Sequence, residues 1–296
     1  MSTDVIAIAG ILESHKSSFY RKEKEVIKMQ AKAPKTKPFG KEAFTLQERT
    51  DIRWLGNAGA LINSRGTTVM IDPVLSGFDM PLLIDMPITE EAIPYVDAVL
   101  LTHCDNDHYS RTTCKKLEKK VKEFHAPHYV AGLLKEELDI EGIGHDIKET
   151  FQVGNITVKL TPADHAWQNE SPKHHTRDFK MDDFCGFWLD TPDGSIWAVG
   201  DSRLLEEQLH MPLPDAILFD ISDSRWHIGL EGVQKMAAAY PDTPLILWHW
   251  GSVDAPEWKE FNGDPEVIKS LIVNPKRVVV LAPGESFVLK KLSSVQ

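Results

Sequence analysis

Residues Asp97–Ser110 read DAVLLTHCDNDHYS. The opening run Ala98-Val99-Leu100-Leu101 is apolar with β-branched character, which predicts a buried strand. At its end stand His103, Asp105, Asp107 and His108, four metal-ligating groups within six residues. A chain that turns sharply out of a strand can fold such side chains inward around a cation. Imidazole suits zinc and iron, and carboxylate suits harder ions such as manganese and iron. Asp and Asn are also ordinary turn residues. Two histidines and two aspartates in H-x-D-x-D-H order nevertheless point to a metal site rather than a polar turn.

Around this stretch lie 296 residues, enough for one large α/β domain or two smaller ones. A hydrophobic share of 42%, a charged share of 26% and a mean hydropathy of -0.26 are those of a globular chain. The net charge of -11 argues against a general nucleic-acid binder. That charge is uneven: Lys16 to Lys41 carries eight Lys and one Arg against two Glu, a surplus of +7, leaving -18 elsewhere. The N-terminal apolar run, Val5 to Leu12, is too short to span a bilayer and has no basic residue before it, so no membrane anchor is expected. Cys104, Cys114 and Cys185 are three in number and lack C-x-x-C spacing, which argues against a disulfide framework and fits a cytoplasmic protein.

Residues 1–50 read as a basic, partly helical extension. Glu13 to Gln30 has helical composition, and Ala31 to Gly40 breaks it with two prolines and a glycine. Its basic run is either a solvated helix face or a surface that docks on an acidic neighbour. In the second case the extension could join subunits of a homo-oligomer. From Asp51 the texture changes to strands at Ile52–Leu55, Ala60–Ile62 and Thr67–Ile71, separated by glycine-containing turns. Residues 73–96, with four prolines, predict a long loop. A basic helix over Arg111–Glu123 and a strand over Pro127–Ala131 are expected next. Further strands are predicted at Ile156–Leu160, Phe184–Leu189, Ile196–Val199, Ala216–Phe219, Leu245–Trp248 and Val278–Leu281. Helices are predicted at Leu204–Leu209, Leu230–Tyr240 and Pro265–Val273. This alternation predicts an α/β fold with helices covering sheet.

More candidate ligands stand at the carboxyl ends of these strands, where open α/β sheets place their sites. His165 follows Ile156–Leu160, Asp201 follows Ile196–Val199, and His249 closes Leu245–Trp248. The motifs Trp54-Leu55-Gly56-Asn57-Ala58-Gly59, Ile71-Asp72-Pro73, THCDNDH, TPADH, VGDS and LWHWG together resemble the metallo-β-lactamase superfamily. Within it the chain looks most similar to the L-ascorbate-6-phosphate lactonase-like hydrolases. The resemblance spans Asp51 to about Ser252 and implies an αββα sandwich over residues 51–296 with a dinuclear metal site at one edge.

Carried over by position, it implies a first metal held by His103, Asp105 and His165, and a second by Asp107, His108 and His249, with Asp201 bridging. Two departures stand out. Asp105 replaces the family's usual histidine, which shifts preference among zinc, manganese and iron toward manganese or iron. Asn57 stands where many lactonase-like relatives carry histidine. Two cations about 3.5–4 Å apart would share a water and lower its pKa to about 7, giving a bridging hydroxide. The resemblance thus implies hydrolysis of a small anionic ester, a lactone or sugar-phosphate lactone. The alternatives are a phosphodiesterase of the same fold and a metal-binding protein without catalysis. Asp107 would also orient the nucleophile. In the segment DISDSRWHIGL, His227 is either a proton donor to the leaving group or a helix-start residue. Arg225, and less so Arg203, are candidate anion clamps. Asp223 beside Arg225, and His174 in a polar loop, complete the expected substrate contacts.

Overall fold

The computed structural model describes residues 30–165, 167–170 and 177–292. The helix expected over Glu13–Gln30 lies outside them but for Gln30, and so does the His174-His175 loop. Six strands come first: β1 (Asp51–Gly56), β2 (Gly59–Ser64), β3 (Thr67–Ile71), β4 (Val96–Leu100), β5 (Val121–Pro127) and β6 (Gly142–His145). Next come β7 (Thr150–Val153), β8 (Ile156–Pro162), β9 (Cys185–Thr191), β10 (Gly194–Ala198), β11 (Ala216–Phe219), β12 (Leu245–Leu247) and β13 (Val278–Val279). Last, β14 (Ser286–Val288) returns to pair antiparallel with β1. The first sheet runs β14-β1-β2-β3-β4-β5-β6 and the second β13-β12-β11-β10-β9-β8-β7. Each sheet has an antiparallel half, β1 to β3 or β7 to β10, followed by parallel strands.

Side-chain alternation decides what each face meets. Val69 and Ile71 of β3, with Ala98 and Leu100 of β4, join Val158, Leu160, Phe187 and Trp197 in a core shared by both sheets. Met70, Val99 and Leu101 point the other way. There they pack under helices α1 (Arg111–Leu117) and α2 (His128–Leu138), through Cys114, Leu117, Val130 and Leu134. A short α3 (Trp167–Glu170) precedes β9, while α4 (Gly229–Ala239) and α5 (Pro265–Leu271) cover the second sheet through Val233, Met236 and Ile268. Two sheets face to face with helices outside form the expected αββα sandwich. None of the helices among the described residues is long and apolar enough to cross a membrane.

The structure departs from the sequence reading between residues 111 and 131. The basic helix stops at Leu117, and Val121–Pro127, read as helix and then strand, is β5 between β4 and β6. Parallel pairing on both sides outweighs the helical composition of the lysine run. The strand expected over Pro127–Ala131 is the start of α2, with Pro127 as its N-cap. Residues 31–50 also run against the body. Ala33 donates to the Gly251 carbonyl at 3.0 Å, Lys37 to that of Pro283 at 2.8 Å, and Phe39 to that of Pro87 at 3.2 Å. The division between compact units therefore falls after Gln30. The long loop over 73–96 contains one isolated bridge, Leu82 to Val253. It lies against the segment after β12, where Leu83 donates to the Ser252 carbonyl at 2.8 Å.

Candidate metal centre

Four strands deliver their carboxyl ends to one edge of the sandwich, and each carries a candidate ligand. Beyond β4 the chain folds back on itself, with the amides of His108 and Tyr109 both donating to the Asp105 carbonyl at 3.0 and 2.7 Å. Ser110 ends the turn by capping α1, accepting from the Thr113 amide at 3.1 Å. Cys185, at the start of β9, donates to the Thr102 carbonyl at 3.1 Å and so ties the second sheet to this turn. Gly200 swings β10 toward Asp201 with a φ of +75°, and a Cβ there would lie 2.5 Å from the Cys185 carbonyl oxygen. Only glycine fits both demands. His249 itself sits in the left-handed region, φ +58°, its amide donating to the Asn57 carbonyl at 2.8 Å. Asn57, also at positive φ, donates from its side chain to the Asp107 carbonyl at 3.2 Å. It braces the turns bearing two of the ligands rather than facing the cleft as a ligand.

All seven predicted ligands come together. Ligand atoms of His103, Asp105 and His165 lie within 4.8 Å of one another, and so do those of Asp107, His108 and His249. Asp201 joins His103 and His108 in a third such group. Its Oδ2 is 3.1 Å from His108 Nε2 and 3.5 Å from His249 Nε2. Asp105 Oδ2 is 3.0 Å from His165 Nε2 and 3.5 Å from His103 Nε2. His227, expected as a proton donor, stands at the same place with Nε2 3.2 Å from Asp201 Oδ2.

The far nitrogens of four histidines are held from behind. Asp72, fully buried at the end of β3, accepts from the Thr102 amide at 2.8 Å and the Thr102 hydroxyl at 2.6 Å, and takes His108 Nδ1 at 2.8 Å. With its only hydrogen given to Asp72, the Thr102 hydroxyl must accept from His103 Nδ1 at 2.9 Å. His103 Nε2 is therefore a bare lone pair, and it is buried without a hydrogen-bond partner, as is Asp201 Oδ1. His227 Nδ1 meets Asp220 at 2.8 Å, and His249 Nδ1 meets the Glu260 carbonyl at 3.3 Å. Three carboxylates, four imidazoles and unpaired buried lone pairs fit divalent cations, with His103, His108 and His249 braced as metal ligands usually are, while His165 Nδ1 is buried without a hydrogen-bond partner. Burial opposes charge on Asp201, yet the histidines around it hold its carboxyl well below the usual range. Burial likewise disfavours His108 as a cation, but Asp201, Asp107 and Asp72 raise it well above an ordinary histidine. His227 rises to about 9 against its own burial, through Asp201 and Asp220. The carboxylates thus demand positive charge, which protons or cations can provide.

The cluster floors a cleft of about 420 Å³. Arg225 and Asp223 line a neighbouring cavity instead. Arg225 pairs with Glu170 at 2.8 Å in a largely exposed position, and Asp223 meets Lys259 at 3.4 Å. Arg203 is spent on Asp164 at 2.6 Å. The sequence reading missed the supporting groups Asp72, Thr102, Asp220 and Glu260. Asp72 and Asp220 each follow a strand, so the rule that found Asp201 would have found both.

Fold and site together define a sandwich with a histidine-aspartate metal centre at the carboxyl ends of its strands. The chain belongs to the family described as the Beta-lactamase superfamily domain, whose model matches residues 67–250. Among curated relatives, a UPF0173 metal-dependent hydrolase of Pyrococcus furiosus is 26% identical over 246 residues, covering 80% of this chain and 99% of the relative. Among solved structures, a metallo hydrolase from Ignicoccus hospitalis aligns with a TM-score of 0.61 at 18% identity, over 81% of this chain and 98% of its own. An isothiocyanate hydrolase from Delia radicum gut bacteria reaches 0.64 at 17% identity, over 82% and 100%. At these identities the structural likeness is one of fold. At the level of family, the chain has the metallo-β-lactamase fold.

Proposed function

We propose that this protein opens a small carboxylic ester, a lactone in particular, with two divalent cations held at the ligand cluster. His103, Asp105 and His165 would hold one, and Asp107, His108 and His249 the other, with Asp201 shared. The observation that carries the reading is the pair of buried ligand groups at the floor of an open cleft, with His103 Nε2 and Asp201 Oδ1 unpartnered. Cations there supply Lewis acidity toward water and toward the carbonyl oxygen. Their carboxylate-rich surroundings favour manganese or iron over zinc.

The chain's own groups do the rest. Asp107 Oδ2, 3.3 Å from His249 Nε2, borders the cleft and orients the attacking water. His227 borders the same cleft, with Asp220 fixing its ring from behind, and gives a proton to the departing oxygen from Nε2. A lactone suits this arrangement because the leaving alkoxide stays tethered beside that donor. Recognition of a phosphate would call for a guanidinium clamp, and Arg225, Arg203 and Arg111 are each already paired with a carboxylate. The test is metal analysis of protein purified without added metal, followed by lactones and bis(p-nitrophenyl) phosphate as substrates with manganese or zinc. Close to two metals per chain and metal-dependent lactone opening are expected. Turnover of the phosphodiester alone, or of neither substrate by fully loaded protein, overturns the reading.

A further inference from the structure

We propose that three tryptophans beside the ligand cluster, Trp167, Trp226 and Trp258, form a subsite for an uncharged apolar or aromatic substituent on the substrate. The proposal rests on the hydrolase reading above and names the substrate class of that site. Each tryptophan sits on a segment that also carries a site residue. Trp167 is two residues past His165, Trp226 directly precedes His227, and Trp258 is two before Glu260, whose carbonyl meets His249 Nδ1. The wall is therefore in fixed register with the chemistry. The rings of Trp167 and Trp226 meet edge to face at 4.6 Å and 64°, those of Trp167 and Trp258 at 5.9 Å and 74°. The cleft's other apolar contributors are Phe78 and Met80, from the long loop over 73–96, and Phe261, which stacks on His249 at 5.4 Å.

Large aromatic side chains are mostly buried in folded proteins, and an open cluster of them marks a binding surface. None of these three tryptophans is buried, and Trp258 keeps 37% of its surface exposed. The Trp226 indole N–H is committed to Glu170 at 2.7 Å, which holds the ring in place. A volume of about 420 Å³ lies in the small-ligand range of roughly 300–1,000 Å³.

Charge narrows the class. Apart from the aspartates of the ligand cluster, whose charge the cations would offset, the cleft is bordered among the described residues by Asp79 and Glu260, against Arg111 as its one arginine or lysine. Arg111 is engaged twice by Glu137, at 2.7 and 2.8 Å, and lies over Tyr109 at 4.8 Å. Arg225 and Lys259, which line the neighbouring cavity with the same tryptophans, are paired with Glu170 at 2.8 Å and Asp223 at 3.4 Å, so a phosphate or carboxylate on the tryptophan side would meet only arginine and lysine side chains already paired. An aryl or alkyl group would gain the burial of its surface and, if aromatic, ring contacts. The substrate is then a lactone or ester whose remote part is hydrophobic, not a phosphorylated sugar.

The experiment compares γ-butyrolactone, γ-phenyl-γ-butyrolactone and 6-phosphogluconolactone on the metal-loaded enzyme. In parallel, 4-phenylbutyrate is titrated calorimetrically into wild-type protein, Trp258→Ala and Trp258→Phe. The phenyl lactone should exceed γ-butyrolactone in kcat/KM by at least about tenfold, chiefly through KM. Trp258→Ala should shrink that ratio about tenfold and weaken phenylbutyrate binding, while Trp258→Phe restores most of both. Trp258 is partly exposed, so truncation leaves the core unchanged. Lactone opening without phenyl preference, or preference for the phosphorylated lactone, overturns the subsite while leaving the hydrolase reading intact. Absence of turnover with Trp258-dependent phenylbutyrate binding does the reverse. Phenylbutyrate binding indifferent to Trp258→Ala overturns the subsite whatever the kinetics.

Discussion

Asp72 and Asp220 stand behind the cluster in parallel roles, and substitution separates what each supports. Asp72 meets three donors, the Thr102 amide, the Thr102 hydroxyl and His108 Nδ1. Asp72→Asn keeps the shape and tolerates the positive φ of this position, but it leaves one acceptor oxygen where there were two. His108 and His103 then lose their fixed orientation together, because Thr102 links them. The expected result is an unchanged circular dichroism spectrum with metal affinity lowered about 10–100-fold, read by titration against a competing chelator. Asp220 instead holds His227. Asp220→Asn should keep the metal content and lower kcat by about 10²-fold or more with little change in KM. Loss of metal in Asp220→Asn would move His227 into the ligand set, since Asp220, His227 and His249 also converge. The convergence of the candidate ligands was legible because metal-binding residue types clustered at predicted strand ends. Asp72 was quoted in a motif, but a second acid after a strand looks like a turn residue until the histidine it faces is known.

Among elements, the segment at 31–40 was read from its prolines as part of an appendage, and its backbone says otherwise. Prolines and lysines mark a chain without helix or strand, yet an extended chain can still be bound tightly through its amides. Gly251 shows how closely: a Cβ there would lie 2.6 Å from the Ala33 nitrogen. Lys37 adds an ion pair to Glu285 at 2.5 Å. Deletion of residues 1–30 leaves these contacts in place and serves as the reference. Deletion of residues 1–40 removes three further backbone hydrogen bonds, worth about 1 kcal/mol each, and should lower Tm by roughly 5–10 °C below that of the 1–30 deletion. Equal Tm values for the two truncations would return the segment to the appendage. The same contrast between composition and pairing explains Val121–Pro127. The lysine run before it suggests a helix, whereas Val121 and residues 124–127 are buried in a strand that β4 and β6 enclose. Helix α4, by contrast, was legible almost to the residue because Val233, Met236 and Ala237 repeat at helical spacing and bury together.

Across the whole sandwich, the alternation of short strands and helices was visible in outline, and the motifs at the strand ends, through their resemblance to the metallo-β-lactamase superfamily, made the fold legible. The tryptophan wall was not, because its members come from three segments between residues 167 and 258 with no period linking them. Nor was a stack outside the ligand cluster, where the chain passes from the first sheet to the second. His125 of β5 bonds His145 of β6 through Nδ1 and Nε2 at 2.9 Å, and Phe151 of β7 stacks on both rings at 4.3 and 4.1 Å. Burial, and then the neighbouring His145, push His125 down to about 4 from an ordinary value near 6.5; Glu123 at 3.5 Å opposes the shift, and Lys122 assists it. The unfolded chain takes up a proton at His125 below about pH 6.5, while the folded chain refuses it until about pH 4. Between those values the unfolded state binds more protons, so stability rises with pH and is lost as pH falls through the window. Denaturant midpoints measured from pH 7 to pH 4.5 should decline for the wild type. His125→Gln removes the titrating ring, so its midpoint should decline less over the same range, with the difference between the two proteins growing below pH 6. Parallel declines would place the acid sensitivity elsewhere, in the aspartates of the metal centre.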